Sequence, residues 1–332
     1  VPNILASVGQ PDLSTMVLGQ KIDMPIFLAP TAMQRLYHHD GDKASARAAE
    51  KFGTFYSMST MATSSIEEIA NISSGAKLFQ LYIHKDQSLT DNLIDRCKSS
   101  GFKALCLTVD TVVAGNRERD HRWGFTTPPK LTLKSILSFM AHPKWSINYL
   151  THEKFQLANV AHFTKKGSSI AKGVMDYINE QYDPAMSWKD AEYCVKRWGG
   201  PFALKGVMSV DDAKRAVDIG ASAIMLSNHG GRQLDGSRAP FDQLPAIADA
   251  VGGKIEIIVD GGIRRGTHVL KALALGATAC SFGKAFLYAL SAGGQQGVEM
   301  LLKRMKDEIT RDMILLGCKN IKELNKTKIA YR

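Results

Sequence analysis

Short apolar runs separated by amphipathic stretches recur along most of the chain. PIFLAP (25–30), TFYSMS (54–59), KLFQLYI (77–83), ALCLTVD (104–110), FALKGV (202–207), AIMLSNH (223–229), EIIVDGG (256–262) and ACSFGK (279–284) each read as a strand. The runs are nearly all apolar rather than alternating, as expected of strands covered by helices on one face and packed by side chains on the other. Between them, 41–52, 65–73, 87–100, 187–198, 210–219, 242–251 and 265–275 read as amphipathic helices, with start signals at Ser65 followed by Glu68 and at Ser209 before Asp211 and Asp212. Val298, Leu301, Leu302, Met305, Ile309, Met313 and Leu316 repeat at helical spacing and predict a long closing helix. The βαβα order argues against an antiparallel sheet, and eight runs are what a closed parallel barrel needs. The predicted fold is α/β, a (β/α)8 TIM barrel formed by residues 1–332 as one domain.

The spacing breaks once. Residues 111–201, between the fourth and fifth strands, replace a crossover of ordinary length, and loops this long are uncommon without a function. Within them, residues 130–172 hold seven lysines (130, 134, 144, 154, 165, 166, 172) and a single acid, Glu153. That cluster supplies more than half of the chain's net charge of +10. LTLKSILSFM (131–140) and then Trp145, Ile147, Tyr149 and Leu150 interleave apolar groups with these lysines, the composition of an interfacial anchor on an anionic membrane. The competing reading is a helical excursion packed on the barrel or on a neighbouring subunit. Nucleic acid is not expected, because no recognised binding motif accompanies the charge. No apolar run is long enough to span a bilayer. Five cysteines, odd in number and without CxxC spacing, suggest neither a disulfide framework nor a zinc site, so no metal and a reducing compartment are expected. The first residue is Val1, with no initiator Met and no signal-like segment, so the sequence is expected to be part of a longer or processed chain.

Candidate chemistry concentrates at the C-terminal ends of the predicted strands, where parallel barrels place their active sites. The sixth run ends in Ser227 and His229 and is followed by Gly230, Gly231 and Arg232, with His229 a candidate base and Arg232 a candidate carboxylate clamp. Gln80 and Tyr82 share one parity on the third strand, and Thr108 and Asp110 share one on the fourth, so each pair points to one side. Asp110 could orient and charge-stabilise His229, and Arg117 could join Arg232 on a small anionic substrate. Asp260, Gly261, Gly262 and Arg264 at the end of the seventh strand, with Gly283 and Lys284 at the end of the eighth, match the place where barrels hold a phosphate. Lys205, a charge inside an apolar strand, is expected to face an electron-rich ligand.

Taken in order, APTA (29–32), FQLY (79–82), LTVD (107–110), SWKD (187–190), LKGV (204–207), SNHGGRQLDG (227–236), DGGIRRGT (260–267), KALALGA (271–277) and IKEL (321–324) resemble the FMN-dependent 2-hydroxy acid oxidising enzymes over practically the whole chain. The resemblance implies FMN as cofactor and oxidation of an L-2-hydroxy acid, lactate foremost, with His229 taking the hydroxyl or α proton and Asp110 supporting it. It implies Arg232, Arg117 and Tyr82 as substrate partners. Ala29, Pro30, Thr31 and Ala32 would approach the isoalloxazine, while Ser59, Gln80 and Thr108 bond its polar edge. Lys205 would sit near N1 with Ser227 beside it. Asp260 would hold ribityl hydroxyls, and Gly261, Gly262, Arg264, Gly283 and Lys284 the phosphate. Two departures stand out: Lys284 occupies a position where the family usually has arginine, and Met61 one where plant-type oxidases have tryptophan. The family's upstream substrate-binding tyrosine precedes the segment matched here by PNIL (2–5). HPKW (142–145) and the basic segment resemble the membrane-associated bacterial lactate and mandelate dehydrogenases. That likeness implies a quinone or other respiratory acceptor, a homo-oligomer such as a tetramer, and the cytoplasm or the cytoplasmic face of the inner membrane. Mandelate-type dehydrogenase and oxygen-using oxidase activities are the alternatives.

Overall fold

A computed structural model describes residues 2–118, 122, 132–153, 155–161 and 182–330. Its centre is a closed barrel of eight parallel strands, β3 (Ile26–Leu28), β4 (Tyr56–Ser59), β5 (Lys77–Leu81), β6 (Ala104–Thr108), β7 (Phe202–Val207), β8 (Ala223–Leu226), β9 (Glu256–Asp260) and β10 (Ala279–Phe282), with β10 pairing back onto β3. The expected (β/α)8 architecture is thus present, with the long excursion between its fourth and fifth strands. A short antiparallel hairpin, β1 (Thr15–Val17) with β2 (Gln20–Ile22), precedes the barrel and was not legible in the hydrophobic pattern. Its Val17, Leu18 and Ile22 pack with Phe27, Phe55, Leu78 and Ile258 and plug the N-terminal end of the barrel, where Leu18 N–H donates to Glu256 Oε2 at 2.7 Å.

Inside the barrel one parity of each strand points inward, and its character changes with height. The lower layers are apolar: Leu78, Ala104, Cys106, Ala203, Ala223, Met225 and Ile258 form one buried cluster. Two residues further along the same parities come Gln80, Thr108, Lys205, Ser227 and Asp260, all buried. The polar layer therefore caps a dry core and opens toward the C-terminal rim.

Around the barrel lie α1 (Gly41–Lys51), α2 (Ile66–Ile72), α3 (Gln87–Ser99), α6 (Trp188–Trp198), α7 (Val210–Asp218), α8 (Pro240–Val251), α9 (Gly266–Ala274) and α10 (Lys284–Leu316), with α4 (Leu133–Ala141) and α5 (Pro143–Thr151) forming a helical hairpin in the excursion. The capping box read at Ser65 is present: Glu68 N–H donates to Ser65 Oγ at 3.1 Å, and Ser65 N–H to Glu68 Oε2 at 2.8 Å. Ser209 Oγ accepts from Asp212 N–H at 3.1 Å and starts α7. The closing helix begins earlier than its apolar repeat announces, and it breaks at Gly293 and Gly294, whose backbone angles are not helical. Beyond the break, Val298, Leu302, Met305, Ile309 and Met313 are buried as expected. Among the described residues no helix is long and apolar enough to cross a membrane. Of the seven lysines in the basic segment, those at 130, 154, 165, 166 and 172 lie outside the described residues.

Candidate active site

Strands read as running to His229, Asp110 and Gly262 end two or three residues sooner, at Leu226, Thr108 and Asp260. The polar tail of each run is loop, and these loops converge over the polar layer. His229 sits at φ +56°, a left-handed conformation that costs a non-glycine residue of order 1–3 kcal/mol, and its N–H donates to Ser227 Oγ at 3.1 Å. Its Nδ1 lies 3.0 Å from Asp110 Oδ1 and 3.3 Å from Oδ2. Burial holds the imidazole below its ordinary value, against the upward pull of the Asp110 hydrogen bond. For Asp110 burial pushes upward, but the His229 hydrogen bond and the Lys205 charge together hold the carboxyl below its usual range. At neutral pH the pair is a neutral imidazole bonded to a carboxylate.

Two glycines make this pairing possible. Gly206 lies at φ +111°, at a register shift of β7 against β8, and a Cβ there would stand 2.8 Å from both Cβ and Cγ of Asp110. Gly115 lets the loop after β6 press against the loop after β8, since a Cβ on it would come 2.1 Å from the Arg232 carbonyl oxygen. Gln233 Nε2 ties the same two loops by donating to Asp110 O at 3.0 Å and Val113 O at 3.1 Å. Arg117 and Arg232 are thereby carried to the rim beside Tyr82; Arg232 is exposed, and the half-buried Arg117 has a buried Nε with no hydrogen-bond partner. The Tyr82 hydroxyl is pushed well up, by burial first and then by Tyr182 and Asp110, while both arginines pull it down. The Tyr82 and Tyr182 rings meet edge-on at 5.8 Å.

One barrel wall joins Lys205, Asp260 and Ser227. Lys205 Nζ lies 3.2 Å from Asp260 Oδ2 and donates to Ser227 Oγ at 3.2 Å, and Ser227 Oγ donates to the same carboxylate oxygen at 2.8 Å. Ser281 Oγ donates to Asp260 Oδ1 at 2.6 Å. Burial disfavours the charged amine, yet Asp260 and Asp110 outweigh it and raise Lys205 above its ordinary value, so the cation persists. The lysine thus has a carboxylate partner in addition to whatever ligand it faces. On the opposite wall Ser59 Oγ donates to Gln80 Oε1 at 3.0 Å. Gln80 Nε2, Thr108 Oγ1 and Thr31 Oγ1 are buried without partners.

Three orphaned polar atoms around one mouth are unusual, since each costs about 1–3 kcal/mol unless a ligand satisfies it. They belong to residues aligned above with the isoalloxazine, whose edge offers carbonyls and ring nitrogens, so the residues present fit FMN. The end that the resemblance assigns to the phosphate is less closed. Ala29, at 4% exposure, is held by Phe282 O at 3.1 Å, and Gly261 N–H donates to Ser281 O at 3.0 Å. Lys284 Nζ donates to Gly230 O at 3.2 Å, while Arg264 and Gly262 are exposed. Pro30 and Ala32 flank Thr31, and Gly283 lies close enough to it that a Cβ would stand 3.2 Å from its methyl group.

Gly206, Gly115, Gln233, Tyr182 and Ser281 escaped the reading of the sequence. Ser281 could have been found, because it shares the inward parity of Gly283; the others depend on loop contacts that carry no local signal.

The model of the family described as FMN-dependent dehydrogenase matches residues 1–331. The chain is 42% identical over 328 residues to the L-lactate oxidase of Nostoc sp., covering 98% of this chain and 84% of that protein. It is 40% identical to the glycolate oxidase of Spinacia oleracea, with 99% and 83% covered, and 40% identical to 2-hydroxyacid oxidase 1 of Homo sapiens, with 99% and 84% covered. Among solved structures, that of the monotopic membrane protein (S)-mandelate dehydrogenase superposes with a TM-score of 0.95 at 34% identity, covering 100% of this chain and 87% of that one. The chain belongs to the FMN-dependent dehydrogenase family, as an FMN-dependent oxidoreductase acting on CH–OH donors.

Proposed function

We propose that the protein oxidises an L-2-hydroxy acid with an apolar substituent, L-lactate foremost, to the 2-oxo acid, and delivers the electrons to a quinone or another respiratory acceptor. The observation that carries this reading is the neutral His229 held by Asp110 beside Tyr82, Arg117 and Arg232. With Nδ1 engaged by Asp110, the other ring nitrogen is left to take the substrate's hydroxyl or α proton, and the adjacent carboxylate stabilises the imidazolium that forms. Arg117, whose buried Nε lacks a partner, and Arg232 bind the substrate carboxylate, and the neutral Tyr82 hydroxyl donates to the substrate oxygen. Ala29 to Ala32, Ser59, Gln80, Thr108, Lys205 and Ser227 would hold the flavin ring, Asp260 the ribityl chain, and Gly261, Gly262, Arg264, Gly283 and Lys284 the phosphate. FMN supplies the two-electron acceptor for the substrate's C–H bond. Lys205, kept cationic by Asp260, would place a positive charge beside the flavin ring.

Met61 packs with Leu157 and Val160, and Met33, Phe155, Tyr82 and Tyr182 lie against them. An aliphatic and aromatic wall beside Tyr82 favours an apolar substituent over the bare hydrogen of glycolate. For the acceptor, the excursion gives the lead: α4 and α5 expose Leu133 (74%), Met140 (70%) and Leu150 (79%), and residues 132–152 contain no acid. That face suits an interfacial anchor on an anionic bilayer, where a quinone would be met. The 42% identity to an L-lactate oxidase favours oxygen as a second reading. Turnover with L-lactate, measured against oxygen and against a water-soluble quinone, separates the two; faster turnover with oxygen refutes the respiratory assignment.

A further inference from the structure

Away from the polar layer, a cavity of about 540 Å³ opens where three segments meet: the loop after β3 through His38 and His39, the α4–α5 hairpin through Trp145 and Asn148, and the break in α10 through Ala292. It is within the size range of small-molecule sites. The hairpin is tied down by Trp145 Nε1, which donates to Leu36 O at 2.8 Å, and it presents an aromatic stack, Phe139 on Trp145 at 5.4 Å and Trp145 on Tyr149 at 5.2 Å. Two lining side chains, His39 and Asn148, face each other here: their buried Nδ1 and Oδ1 atoms fall short of full hydrogen-bond geometry, yet the amide acts on the imidazole and pulls its pKa upward. From the geometry we infer that this cavity binds the ring of a quinone, the acceptor that reoxidises the flavin.

Several features select that chemistry. The stacked indole and phenol suit a flat ring. An imidazole N–H can donate to a quinone carbonyl, and an amide oxygen can accept from the hydroquinone hydroxyl, so the loosely paired His39 and Asn148 can exchange their contact with each other for either redox form. An anionic headgroup fits less well: burial, together with neighbouring imidazoles, holds His38 and His39 below their ordinary values, and Arg35 is engaged by Glu153 at 3.5 Å. The hairpin that lines the cavity also bears the exposed apolar residues Leu133, Met140 and Leu150, so a bilayer-dissolved ligand would reach it without crossing water. The loop containing His38 and His39 is continuous with Ala29 to Ala32, the stretch assigned to the flavin ring, so the two redox groups would flank one loop. The step balances: the two electrons and two protons removed from the acid's C–H and O–H end on the two quinone oxygens as hydroquinone, and the 2-oxo acid is released.

This inference rests on the respiratory reading above, and the test separates the two. Ala292→Phe projects a ring into the cavity from an exposed position, with Ser291→Phe as a second such variant. A decyl-substituted benzoquinone is titrated into oxidised, FMN-loaded protein without substrate, following tryptophan fluorescence and heat. The wild type is expected to bind saturably, and either variant to weaken binding at least tenfold and raise the KM for the same quinone by a similar factor. Flavin bleaching by L-lactate and reoxidation by ferricyanide should stay at wild-type rates in both variants. Quinone turnover with wild-type affinity in both variants would overturn the cavity assignment while leaving the respiratory reading intact. A wild type that neither binds the benzoquinone nor is reoxidised by it would overturn both.

Discussion

Replacing Gly206 by alanine tests whether catalysis depends on the placement of Asp110. The new Cβ would stand 2.8 Å from Asp110 Cβ and Cγ and 3.0 Å from its backbone nitrogen, all inside ordinary contact distance. At φ +111° the alanine is also strained by roughly 1–3 kcal/mol, a cost the fold should survive given typical stabilities of about 5–15 kcal/mol. The relief available is displacement of the Asp110 side chain, which would break its 3.0 Å bond to His229. A hydrogen bond to a charged group contributes about 1.5–3 kcal/mol, and at about 1.4 kcal/mol per decade its loss slows proton abstraction roughly 10- to 150-fold. The assay is the anaerobic rate of flavin bleaching by saturating L-lactate, with FMN content and melting temperature recorded on the same sample. Gly206→Ala is expected to fold, hold FMN and bleach slowly. A variant that bleaches at the wild-type rate would refute the argument that this glycine exists to seat Asp110.

Other consequences follow from the same geometry. Thr108→Val removes a buried hydroxyl that has no protein partner, so the apoprotein should melt no lower than wild type while FMN binds about 2- to 10-fold more weakly, as the loss of a neutral hydrogen bond worth about 0.5–1.5 kcal/mol predicts; calorimetry on apo and loaded protein reads both. Because burial lowers the His229 pKa and only the neutral ring accepts a proton, kcat/KM should be flat near neutrality and fall only as pH drops below the ordinary histidine value of about 6.5. Asp110→Asn removes the group that raises that pKa, so the acid limb should move lower still and the plateau fall by about 100-fold or more. Lys284→Arg should tighten FMN by adding a fork to the phosphate, and Lys284→Met should loosen it by about 10- to 150-fold, as equilibrium dialysis would measure.

The barrel was legible because each inner strand is a mostly apolar run and nearly every crossover a periodic helix. Strand ends were overrun at Asp110, Gly262 and His229, because polar residues that follow a buried run extend its hydrophobic pattern no differently from residues inside it. The β1–β2 hairpin was invisible: two three-residue strands joined through Leu18 and Gly19 leave too little periodicity. Candidate ligand-facing residues could be named, since Gln80, Thr108, Lys205 and Asp260 break apolar strands at one parity. The residues that position them could not. Gly206 matters only because β6 and β7 lie side by side, and Gln233 only because two loops separated by more than a hundred residues meet. The cavity under α4 and α5 likewise arises from three segments that no local pattern brings together.

The central claim is that His229 is the base that starts oxidation of a 2-hydroxy acid on FMN. It is tested most directly by mixing FMN-loaded His229→Gln protein with L-lactate under anaerobic conditions and following the flavin absorbance. Wild-type protein is predicted to bleach, and the variant to remain yellow with its FMN bound; bleaching of the variant at the wild-type rate would contradict the account.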